Sequence, residues 1–155
     1  MADIVRIWVE TSHHAAFRCG GWAFVRQDAA GVSGAAGGDR AVTPERAMLA
    51  GLAEALKGLP AGAAAEVQTS NAQMSALPGR ISRFSSGEEP PAENLDLWAQ
   101  LATALRTVRV LPAANRPGAP PAFAAAWAEL ARDKAKATGS FRSAIPKPNL
   151  LKAGV

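Results

Sequence analysis

The hydrophobic pattern changes period several times along the chain, and each change marks an element. Residues 4–11 (Ile4-Val5-Arg6-Ile7-Trp8-Val9-Glu10-Thr11) are β-branched and alternate, which predicts a strand. His13 and His14 follow in a turn. A second strand covers residues 20–27, entered through Gly20-Gly21, and a third, weaker one falls near Val32–Gly37 in a Gly/Ala-rich stretch. From Thr43 the period lengthens. Met48, Leu49, Leu52, Leu56 and Leu59 recur at helical spacing, so one stripe faces a core. Thr43 is a good N-cap, Pro44 suits the first helical position, and Glu45 lies where the helix dipole favours negative charge. Gly58 and Pro60 end this helix.

Ala65–Thr69 reads as a central strand. Ser70 or Asn71 caps a short helix through Ala76, which Pro78-Gly79 stops. Residues 80–93 are polar and predict a loop or protruding segment. Asn94 caps a helix carrying Leu95, Trp98, Leu101 and Leu105, and Val108–Leu111 is a fifth strand. Four prolines make residues 112–121 a loop. A final helix runs from Phe123 to about Ala137, with Phe123, Trp127, Leu130 and Ala131 on one face. Strands interleaved with helices predict an α/β domain over residues 1–138, with a five-stranded mixed sheet in the element order βββαβααβα. Residues 139–155 carry Arg142, Lys147 and Lys152 but no acid, and are expected to form a loose basic tail.

Composition narrows the class. The 155 residues are 48% hydrophobic and 19% charged, as expected of one globular domain. Because alanine and glycine are abundant, four tryptophans and five phenylalanines must supply the bulk of the core. The net charge is +4, and it is uneven: residues 76–155 hold eleven Lys/Arg against six Asp/Glu. That excess favours an anionic partner such as nucleic acid. The single cysteine, Cys19, excludes an internal disulfide and reads as a half-buried thiol. No apolar run reaches the ~18–20 residues of a membrane helix. Asp3 and Arg6 within the first strand argue against a signal peptide, so no membrane association and a cytoplasmic location are expected.

Several local signatures occur together and in order. They are Gly20-Gly21-Trp22-Ala23, Thr43-x-x-Arg46 with Glu54-Ala55-Leu56, Val67-Gln68-Thr69-Ser70-Asn71, Asn94-Leu95-Asp96-Leu97-Trp98, and Glu129-Leu130-Ala131-Arg132. Over roughly residues 4–137 this resembles the ribonuclease H family, as a degenerate member. The resemblance implies a ribonuclease H-like fold. It also implies cleavage of the RNA strand of an RNA–DNA hybrid by two magnesium ions held among carboxylates. The first family aspartate falls on Glu10. The glutamate of the first long helix falls on Met48, the aspartate ending the fourth strand on Ser70, and the aspartate of the last helix on Ala128. The loop before that helix holds no histidine. Magnesium needs hard oxygen ligands, and Met48 and Ala128 have none. Glu45, Glu129 and Asp133 are misplaced as substitutes.

For substrate contact, Thr43 matches the family's phosphate-binding threonine, and Arg46 lies in the same motif. The two groove-reading asparagines are replaced by Pro44 and Glu45. Arg80 and Arg83, beside Phe84, sit where some family members carry a basic protrusion, with Glu88 and Glu89 offsetting them. Glu10, His13 and His14 lack metal-site spacing and read as a polar turn. Asp39 is expected to be solvated, and Trp98 and Trp127 to be core. The favoured expectation is a catalytically inactive ribonuclease H-like module that binds nucleic acid or acts as a scaffold, with no cofactor. Its expected partners are an RNA–DNA hybrid or structured RNA, with a protein partner through the basic tail. Two alternatives stay open. One is an active magnesium-dependent nuclease with displaced carboxylates, and the other is a protein-interaction domain with no nucleic-acid role.

Overall fold

The computed structural model describes residues 4–87, 93–111 and 113–155. Its elements are β1 (Ile4–His14), β2 (Cys19–Asp28), β3 (Gly31–Asp39), α1 (Pro44–Leu56), β4 (Ala64–Gln68), α2 (Ala72–Ser85), α3 (Leu95–Ala104), β5 (Arg109–Leu111), α4 (Ala119–Thr138), β6 (Phe141–Ala144) and α5 (Lys147–Leu150). The strands form one mixed sheet in the order β5-β4-β1-β2-β3-β6. β1 pairs antiparallel with β2 and parallel with β4.

Side-chain alternation along β1 sets the two sides of the sheet. Val5, Ile7 and Val9 enter a core with Met48, Leu49 and Leu52 of α1, Met74, Leu77 and Ile81 of α2, and Trp98 and Leu101 of α3. Trp8, one residue out of phase, enters a second core with Ala23 and Val25 of β2 and Ala128 and Ala131 of α4. α4 comes close enough to touch backbone. A Cβ added at Gly21 would lie 2.3 Å from the Ala128 carbonyl oxygen and 2.3 Å from the Arg132 nitrogen. One at Gly38 would lie 2.8 Å from the Ala131 carbonyl oxygen. Two arginines close helix C-termini, where cations suit the dipole. Arg26 donates to the carbonyls of Ala55 at 3.3 Å and Lys57 at 2.8 Å, and Arg40 to those of Ala135 at 3.1 Å and Lys136 at 2.8 Å.

The architecture matches the expected α/β class, with corrections. The sheet has six strands, not five. Residues 139–155 are not a loose tail: β6 pairs antiparallel with β3, and Ile145, Leu150 and Ala153 are buried in the α4-side core. Those apolar residues follow no period, so pattern reading passes over them. The helix expected to stop at Pro78-Gly79 continues to Ser85, because Met74, Leu77 and Ile81 bury a continuous stripe beneath it. Packing overrides the lost hydrogen bond of one proline. Arg80 and Arg83 therefore lie on a helix rather than a loop, while Glu88 and Glu89 fall outside the described residues. α4 starts at Ala119, since Pro120 and Pro121 occupy a first turn whose N–H groups need no partner. His13 and His14 belong to β1, paired with Gly20 and Cys19, rather than to a turn. Cys19 is fully buried rather than half-buried. Asn94 precedes α3 in a left-handed conformation (φ 62°) with no capping bond from its side chain. Among the described residues, no helix is long and apolar enough to cross a membrane.

The approach at Gly21 sets up a test. Gly21→Ala is expected to destabilise the fold by roughly 1–3 kcal/mol, because backbone cannot yield as a flexible side chain can. Gly79→Ala, on α2 with open space around it, is expected to stabilise by roughly 0.5–1 kcal/mol. Urea unfolding of both variants measures the difference.

Candidate functional site

Glu10 lies on the α4 side of β1, two residues beyond Trp8 and opposite Ala23 of β2. It is a buried acid, 4% exposed, on a strand buried on both faces. Burying a carboxylate is costly unless donors surround it. The chain supplies three, all from the turn between β4 and α2. The Ser70 N–H donates to Oε1 at 2.5 Å, the Thr69 hydroxyl donates to Oε1 at 3.2 Å, and the Ser70 hydroxyl donates to Oε2. Thr69 Oγ1 in turn accepts from the Asn71 N–H at 3.2 Å. Asn71 caps α2 by accepting from the N–H groups of Gln73 and Met74 at 2.9 and 3.2 Å. Glu10 is thus the hub that ties the centre of the sheet to the start of α2.

Of the four positions where the resemblance expects carboxylates, Glu10 and Ser70 meet directly. Ala128 is fully buried over the same end of the sheet, since α4 rests on Gly21, and Arg132, one turn further, donates to the Ser12 hydroxyl at 2.9 Å. Met48 is 3% exposed and extends the α1 core stripe with Leu49 and Leu52. The neighbouring acids are held elsewhere. Glu45 pairs with Arg80 at 2.9 Å and Asp133 with Arg132 at 3.0 Å, while Glu129 is exposed. His13 and His14 are successive strand residues and point to opposite sheet faces. The His13 ring instead bonds the Val42 carbonyl at 2.7 Å. Among the described residues, no three His, Cys, Asp or Glu side chains cluster as metal ligands.

The expected substrate-contact residues are largely engaged within the protein. The Thr43 hydroxyl caps α1 by accepting from the Arg46 N–H at 3.2 Å. The Arg46 guanidinium forms a two-pronged pair with Asp96, at 3.0 and 2.9 Å, and also donates to the Asn94 side chain at 3.2 Å. Those bonds hold the Asp96 carboxyl down at about 2 and raise the Arg46 guanidinium further. Arg80 pairs with Glu45 and stands 5.0 Å over the Trp98 ring. Phe84 packs edge-on against Trp98 at 5.8 Å, so it is a core partner and not a base-stacking platform. Arg83 is exposed on α2. Sequence reasoning missed Thr69 as a donor to Glu10 and Asp96 as the partner of Arg46. The motifs containing all of these residues were visible, but contacts 59 and 50 residues apart left no local signal.

Comparison with solved structures bears on the fold. The chain resembles the LC9 type 1 ribonuclease H that carries a type 2 active-site motif, with TM-score 0.68 and 16% identity, covering 100% of this chain and 82% of that one. It also resembles the N-terminal ribonuclease H domain of a Mycobacterium tuberculosis protein, solved as a fusion with maltose-binding protein, with TM-score 0.57 and 22% identity over 88% and 97%. A third similar structure is ribonuclease H1 of Halobacterium salinarum, with TM-score 0.54 and 18% identity over 84% and 98%. No protein-family model and no curated protein sequence matches the chain. The protein has a ribonuclease H-like fold.

Two measurements probe the site. Glu10→Ala leaves the Ser70 and Thr69 donors without an acceptor and is expected to cost roughly 1–3 kcal/mol in denaturant unfolding, with Glu10→Gln losing less because its amide oxygen still accepts. For Asp96, the folded carboxyl titrates at about 2 against an ordinary value of 3.8. Its contribution to stability is therefore complete above the higher value and disappears as pH falls through the lower. Asp96→Asn is expected to flatten the acid limb of stability between these two values, as followed by circular dichroism.

Proposed function

We propose that the protein is a ribonuclease H-like domain without nuclease activity that binds nucleic acid by phosphate contacts. The observation that carries this reading is the occupation of Glu10 by Thr69 and Ser70. Two magnesium ions require several charged oxygens whose lone pairs face the metals. Glu10 offers one carboxylate already bonded three times, Ser70 a hydroxyl that is donating, and Met48 and Ala128 no oxygen in the side chain. These residues do not fit the metal pair, so no cleavage step is assigned to them. The direct Glu10–Ser70 contact instead replaces with hydrogen bonds the cross-link that shared metals would give two carboxylates.

The binding half of the reading is supported by the fold of the similar structures and by the uneven basic charge. It differs in detail from the expectation built on Thr43, Arg46 and Arg80, whose polar groups serve α1, Asp96 and Glu45. Exposed cations such as Arg83 are the better candidates for phosphate contact, with Arg46 and Arg80 contributing field rather than direct bonds.

Incubation with a labelled RNA–DNA hybrid in magnesium or manganese is expected to give no cleavage. Titration of hybrid and of double-stranded RNA is expected to give salt-sensitive binding, with Arg83→Ala lowering the slope of log K against log salt by about one. Metal-dependent cutting that Glu10→Gln abolishes would establish the active nuclease instead. Absence of binding to any nucleic acid at low salt would leave the protein-interaction reading.

A further inference from the structure

A cavity of about 430 Å3 opens on the α4 side of the sheet, walled by β1, β4 and the segment leading into α4. Its floor is made of two parallel rungs, Arg6 beside Glu66 and Trp8 beside Gln68. Two residues further along each segment Glu10 bonds Ser70, and neither lines the cavity, so the cavity is separate from that contact. Arg116 and Pro120 form the opposite wall.

The charge of this cavity is opposite to that of a metal site. It holds two guanidinium groups and one carboxylate. The single ion pair among them is loose, with Arg6 Nε 4.0 Å from Glu66. Arg6 is oriented less by that carboxylate than by Trp8, over whose ring its guanidinium stands at 5.1 Å. A guanidinium laid on an aromatic face keeps its N–H edge available for a two-pronged bond to a phosphate or carboxylate. Arg116 is exposed on the far wall. α4, 20 residues long, also begins here, its cap Gly118 contributing no side chain and its Pro120 lining the cavity. Pro120 and Pro121 leave that helix start without two of its N–H groups, so the positive charge of the cavity comes from the two arginines. The volume is that of a small organic ligand and far more than a bare inorganic anion needs. Gln68 offers an amide able to pair with a base edge, and the prolines offer apolar walls for a flat ring.

We propose that this cavity binds a nucleoside monophosphate, either free in solution or as the phosphorylated end of a nucleic-acid strand. The proposal does not rest on hybrid binding, since a chain that holds no hybrid can still fill this cavity.

Calorimetric titration of the full chain tests it. Adenosine monophosphate is expected to bind, with adenosine and inorganic phosphate each at least about tenfold weaker, and Arg6→Ala and Arg116→Ala each weakening the nucleotide by about tenfold or more. Circular dichroism checks that the variants are folded, and Arg116, exposed in a connecting segment, is the safer of the two. A tetranucleotide phosphorylated at its 5′ end that binds as well as the mononucleotide, beside an unphosphorylated one that does not, assigns the site to strand ends. Binding of the mononucleotide alone assigns it to the free nucleotide. No binding at millimolar nucleotide, equal affinity for inorganic phosphate, or an unchanged affinity in folded Arg116→Ala overturns the proposal.

Discussion

β1 is hydrogen-bonded along both edges and its central residues, Ile7 to Glu10, are buried, so each of those side chains must fit one side of the sheet or the other. Val5, Ile7 and Val9 face α1, and Trp8 faces α4. A slip of one residue would exchange the two sets, turning Val5, Ile7 and Val9 toward α4 and Trp8 toward α1. The register of β1 against β2 and β4 therefore decides which of its residues meet each helix layer. In this arrangement Glu10 is the exception: the other buried residues of β1 are Val5, Ile7, Trp8 and Val9, and it is a carboxylate among them. It is tolerated because the turn after β4 surrounds it with donors, and those donors in turn are positioned by the cap of α2. Local capping chemistry and the centre of the sheet thus form one connected network.

The surroundings of Glu10 add no second charge to it at the positions where the resemblance expects carboxylates. Met48 and Ala128 are buried one in each apolar core, and Ser70 donates to Glu10. A second carboxylate in contact with Glu10 would repel it, whereas the Ser70 hydroxyl and N–H stabilise its charged form.

Legibility in the sequence followed the range of the interaction. α1 could be read almost completely, because Thr43, Pro44 and the Met48–Leu56 stripe are local signals, and the structure uses each of them as expected. Pro78-Gly79 misled, because the force that keeps α2 helical comes from Met74, Leu77 and Ile81 packing on elements far away in sequence. The final segment misled for a related reason: Ile145, Leu150 and Ala153 are sparse and aperiodic, and only the open edge of β3 gives them a place. At the site, residue types were legible and pairings were not. That Glu10 stands alone as an acid is visible in the chain, whereas its bonds to Thr69 and Ser70, or that of Arg46 to Asp96, depend on how strands and helices come together.

The persistence of α2 through Pro78-Gly79 has a consequence for where the order of this region comes from. A segment interrupted in its middle by a residue without an N–H and by another without a side chain has little tendency to form helix alone. Its order is borrowed from the core, through Met74, Leu77 and Ile81. Because Asn71 caps α2 and also donates its N–H to Thr69, which donates to Glu10, the surroundings of the buried carboxylate share that dependence on packing far away in sequence.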